Sequence, residues 1–113
     1  MAKINGIDIG NVVKDALQAA KSTGIENWGE VKDIIENVSQ NMLNDLKFVA
    51  KKKVSGHFDE YDAKIFLEDQ KMVARVRLRS LAIITLQIAE RIINAITDVF
   101  KSAANTALGW NIF

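Results

Sequence analysis

The chain contains no proline, and its glycines stand at six places only: Gly6, Gly10, Gly24, Gly29, Gly56 and Gly109. Between Gly56 and Gly109 lie 52 residues with neither breaker. Proline removes a backbone donor and glycine adds backbone freedom, so so long a run without either favours helix over turn-rich β structure. The remainder of the sequence is then read as what packs on that helix.

A chain of 113 residues forms one domain and buries about two-thirds of its unfolded surface as a monomer. Hydrophobic residues make up 49% and charged residues 26%, a balance that excludes a disordered polyelectrolyte. A net charge of +1 gives no global reason to expect nucleic acid or an anionic membrane, so such a partner would need a local patch. With no cysteine, disulfides and thiolate metal sites are ruled out and the redox compartment is left open. The opening MAKINGIDIG has no apolar run of secretory length, so no signal peptide is expected. The most apolar stretch, Leu81 to Ala89, meets Glu90 and Arg91 at once, well short of the roughly 20 apolar residues that span a bilayer. The expectation is a cytoplasmic protein.

The fold class read from these patterns is all-α: a helical bundle built on a long antiparallel helical hairpin, with a short N-terminal helix and an extended arm. Residues 1–9 form the arm, where Ile4, Ile7 and Ile9 surround an Asn5-Gly6 turn signal. Helix 1 is expected over 11–22, capped by Asn11 and ended by Gly24. Thr23-x-x-Glu26 doubles as a capping box for the next helix. Helix 2 is expected over 26–54. Its seam is Trp28, Val31, Ile35, Val38, Met42, Leu46 and Val49, widened by Ile34, Leu43 and Phe48. Lys51, Lys52 and Lys53 close it at the end where the helix dipole favours cations, and Ser55-Gly56 stops it.

Helix 3 is expected over 58–108, with Asp59 as N-cap and Glu60 and Asp62 in the first turn. Its second half carries an apolar face about half a circumference wide, wider than one neighbour covers. The weak stretch is Met72 to Arg79, where Ala74, Val76 and Leu78 alternate with Arg75, Arg77 and Arg79 in a strand-like period of two. A break within 69–80, near Asp69–Gln70 or at Ser80, would give a compact four-helix bundle instead. An unbroken helix would be roughly 75 Å long and would leave apolar surface for a second subunit. The self-association residues are therefore taken as Leu81, Ile84, Ile88, Ile92, Ile96, Val99 and Phe100, with Trp110 and Phe113 of the aromatic tail 109–113.

Chemistry-bearing motifs are sparse. His57 and Glu60 form His-x-x-Glu, but no Glu-x-x-His pair exists to build a di-metal carboxylate site. None of the serines sits in a Gly-x-Ser-x-Gly elbow, and Gly6-x-x-x-Gly10 lacks the following Lys-Ser/Thr of a phosphate loop. No catalytic residue, cofactor or metal is expected. Lys51, Lys52, Lys53, Lys64, Lys71, Arg75 and Arg79 fall along one flank, a surface for a polyanion or an acidic partner. Glu60, Glu68 and Asp69 interrupt it, Asp33 and Glu36 offer ion pairs, and no aromatic stacking platform accompanies it. A membrane-surface role for 81–108 suffers because Glu90 and Asp98 cancel Arg91 and Lys101. The leading expectation is a non-enzymatic structural or interaction protein, a homo-oligomer that binds partners through long amphipathic helices. Nucleic-acid binding ranks second and membrane insertion third.

Overall fold

The computed structural model describes residues 3–4, 7–8, 11–81, 83–110 and 112. Four helices dominate it: α1 (Val12–Lys21), α2 (Trp28–Val54), α3 (Glu60–Arg79) and α4 (Leu86–Leu108). Ahead of them, β1 (Lys3–Ile4) and β2 (Ile7–Asp8) make a two-rung antiparallel ladder, Lys3 opposite Asp8 and Ile4 opposite Ile7. The arm is thus the short-hairpin form; its Asn5-Gly6 turn lies outside the described residues.

Asn11 occupies the N-cap position of α1 without a side-chain capping bond. At the other end, the Thr23 hydroxyl donates back to the Ala20 carbonyl at 2.7 Å, and Gly24 takes a left-handed φ of +85°. Thr23 therefore closes α1, and the expected capping box with Glu26 does not form. α2 consequently starts at Trp28, the first residue of its seam and two residues later than the expected start at 26. That seam itself holds: Val31, Ile35, Val38, Met42, Leu43, Leu46 and Val49 are all buried. Gly56, with φ of +75°, turns the chain into α3, whose Asp59 accepts from the Asp62 backbone N–H at 2.8 Å. The Asp62 carboxylate returns the bond to the Asp59 N–H at 3.2 Å, completing a capping box.

The expectation of one helix over 58–108 is corrected. The chain breaks between Arg79 and Leu86, at Ser80 and beyond. The Ser80 hydroxyl donates to the Arg77 carbonyl at 2.7 Å, and the Thr85 hydroxyl accepts from the Ile88 N–H at 3.1 Å as the N-cap of α4. Two hydroxyl residues, whose side chains compete for backbone groups, thus do what glycine or proline does elsewhere. Met72 to Arg79 is helical, and the two-residue alternation dissolves into an i, i+4 pair: Ala74 and Leu78 are buried while Val76 is exposed.

Once broken, the chain folds α4 back, chiefly onto α1, with α3 on another side. Ala16 and Ala20 of α1 and Ala89 and Ala104 of α4 are fully buried, small side chains that let helix axes approach. The longest dimension is 43 Å, about the length of α2 alone at 1.5 Å per residue and far short of a continuous helix 3. The radius of gyration, 14.0 Å, compares with about 13 Å for a compact chain of this length. Its accessible surface of 6385 Å² is close to the roughly 6,200 Å² that area–mass scaling gives for a monomer of this size.

Candidate interaction surface

The break redirects the residues expected to meet a second subunit. Ile92, Ile96 and Phe100 are fully buried in the chain's own core. Leu81, Ile84, Ile88, Val99 and Trp110 are half-buried and packed against that core. Phe113 lies outside the described residues. Most of the apolar face of 81–108 is covered from within, chiefly by α1 and also by α3, while Ile83 and Leu86 at its start stay exposed at 44% and 61%.

The tail is likewise folded onto its own chain. Ile112 is fully buried, and the Lys53 ammonium donates to the Leu108 carbonyl at 2.6 Å while sitting 4.8 Å from the centre of the Trp110 ring. One cation thereby meets an orphan carbonyl and the negative end of the α4 dipole, and rests on an aromatic face. Gly109 supports this with φ of +71°, its N–H bonded to the Asn105 carbonyl.

Of the other basic residues, Lys52 lies 5.3 Å from the Phe48 ring and Lys71 pairs with Glu68 at 3.3 Å. Arg75 Nε and Arg79 Nη2 each reach one oxygen of Glu90 at 3.0 Å, which ties α3 to α4. Asp33 and Glu36 are not their partners. Arg77 instead donates to the Asn37 side-chain oxygen at 2.6 Å. Partial desolvation pushes the Glu90 carboxyl upward, but Arg75 and then Arg79 outweigh it by hydrogen bonding and charge, so its pKa lies below the ordinary value. Lys51 and Lys64 are exposed. The basic flank is largely engaged within the chain.

At the α2–α3 turn the Ser55 hydroxyl lies 2.6 Å from His57 Nδ1 and 3.2 Å from the Lys52 carbonyl. Both contacts are satisfied when Nδ1–H donates to the hydroxyl and the hydroxyl donates to the carbonyl. In that arrangement the imidazole gives a proton toward serine rather than taking one, the reverse of nucleophile activation. Between α2 and α3 a polar cleft of about 160 Å³ is lined by Asn41, Asn44, Asp45, Gln70 and Arg77, among others. Partial burial pushes the Asp45 carboxyl up. Among the described residues no three His, Cys, Asp or Glu side chains gather as a metal site, and no helix is long and apolar enough to cross a membrane.

What the periodicity missed is the outer face of α3. Ala63, Leu67, Ala74 and Leu78 are buried. Tyr61, Ile65, Met72 and Val76 are exposed, at 70%, 47%, 52% and 62%. Each exposed residue precedes a buried one by two positions, a rotation of about 200°. The helix therefore carries two apolar stripes on opposite sides, one spent in the core and one in water. Val73 extends the outer stripe at 56% exposure. The signal is present as two interleaved i, i+4 patterns in Tyr61 to Leu78, but inward and outward residues are chemically alike, so spacing alone does not say which stripe faces the core. No protein-family model matches the chain, and neither a curated protein nor a solved structure matches it.

Proposed function

We propose that this chain is a non-enzymatic helical interaction protein, working in the cytoplasm through self-association and partner binding by amphipathic helices. An antiparallel α2–α3 hairpin holds the outer face of α3 ready for a partner helix. The observation that carries this reading is the second apolar stripe, Tyr61, Ile65, Met72 and Val76, on a helix whose opposite side already fills the core. The hairpin is supported by contacts that step away from the turn in both directions. Phe48 packs on Phe66 with ring centres 5.1 Å apart, and farther out Arg77 reaches Asn37. The engaged basic flank argues against nucleic acid, since Arg75 and Arg79 would have to leave Glu90 to meet phosphates.

The test is a photo-crosslinking side chain placed at Ile65, compared with one at Lys14, also exposed but on α1. In cells making the protein, crosslinks to protein are expected at position 65 well above those at position 14. Equal yields at the two positions would refute the reading.

A further inference from the structure

We infer that the occupant of the outer α3 face is a second copy of this chain, packed antiparallel across a two-fold axis that passes between Glu68 and Asp69. This rests on the reading of α3 as an interaction face and adds the partner, its direction and its register. The first ground is the symmetry of the stripe. Tyr61 and Val76 stand equally far from the 68/69 midpoint, and so do Ile65 and Met72. In an isologous contact residue i meets residue j while j meets i, so these four apolar side chains fall opposite one another, while Val73 at the edge of the stripe falls opposite Lys64.

The second ground is charge. Residues 59–69 carry Asp59, Glu60, Asp62, Glu68 and Asp69 against Lys64 alone, whereas residues 70–79 carry Lys71, Arg75, Arg77 and Arg79 and no acid. Antiparallel packing lays each half against the opposite sign, while parallel packing sets like against like. The helix dipole explains acids in the first turn but not Glu68 and Asp69 in mid-helix. Internal pairing takes up part of this polarity, since Arg75 and Arg79 share the single carboxylate of Glu90 and Lys71 meets Glu68, yet the four cations of 70–79 still outnumber those two carboxylates, and Arg77 donates to the neutral Asn37. The local cost is at the axis, where Asp69 approaches the acids of the second copy.

The chain has no cysteine, so introduced thiols report the register without interference. Ile65→Cys and Met72→Cys chains, each checked for native helicity, are mixed and mildly oxidised. The mixed disulfide between positions 65 and 72 is expected to dominate over both homodimeric disulfides. Homodimeric 65–65 linkage in comparable yield would indicate parallel packing and overturn the inference. So would a native chain that sediments as a monomer at tens of micromolar; crosslinking of position 65 to a different protein would then preserve the interaction face, and its absence would remove both. As a second variant, Asp69→Asn relieves the acid contact at the axis and is expected to tighten the dimer about twofold. Weaker or unchanged association of that variant would contradict the register.

Discussion

Single side chains set how the helices are joined. Glu90 is the hinge pin between α3 and α4, holding Arg75 and Arg79 at 3.0 Å each. Because its pKa is lowered on folding, it contributes stability that is present in full above the unfolded glutamate value and is lost as pH falls through the lower, folded one. Glu90→Gln should lower the melting temperature at neutral pH, and the gap from the native chain should close on acidification below the ordinary glutamate range. Melting followed by circular dichroism across that range checks this; a gap that stays constant with pH would assign the loss to packing instead. Ser39 presents the opposite case, a fully buried hydroxyl in α2 without a hydrogen-bond partner. An unsatisfied buried hydroxyl costs stability, so Ser39→Ala should stabilise by about 1 kcal/mol in chemical denaturation. A destabilised variant would show that the hydroxyl is bonded in solution.

The elements differ in how much of them can be read from residues alone. The α2 seam and the Asp59 N-cap were legible, because one apolar stripe at helical spacing and one acid ahead of a helix's first turn carry their own geometry; the reciprocal bond from Asp62 was not foreseen. The α3–α4 break was legible only as an alternative, at Ser80 or near Asp69–Gln70, because the apolar phase runs straight across it and no glycine or proline marks it; Ser80 is where α3 ends. The marks are subtler: Ser80 and Thr85 as backbone-competing hydroxyls, with Ile83, Ile84 and Thr85 a β-branched run that helix tolerates less well. Thr85→Ala should therefore cost about 1 kcal/mol through loss of the N-cap, measurable as a shift of the denaturation midpoint. A cost near zero would mean that tertiary packing alone fixes the corner. The burial of Ile92, Ile96 and Phe100 in the chain's own core was missed for the same reason. With helix 3 taken as continuous, the broad face around Ile92 and Phe100 looked unpartnered, whereas the fold spends it internally and leaves the narrower α3 stripe outside.

At the scale of the whole molecule the chain satisfies its own core, and its surface area is that of a monomer. Self-association is thus not required to bury α4, and the proposed dimer rests instead on one stripe of α3 about 23 Å long from Tyr61 to Val76. A contact of that size gives a reversible dimer rather than an obligate one. Its loss should leave the fold intact, so assembly and folding come apart in a single substitution. Sedimentation velocity over a range of concentrations, run on the native chain and on Ile65→Glu with helicity matched, separates them directly. If α3 pairs with its copy, the native chain passes from monomer to dimer as concentration rises while Ile65→Glu stays monomeric. A native chain that remains monomeric throughout, or an Ile65→Glu chain that dimerises equally well, would show that the outer face of α3 is not where these molecules meet.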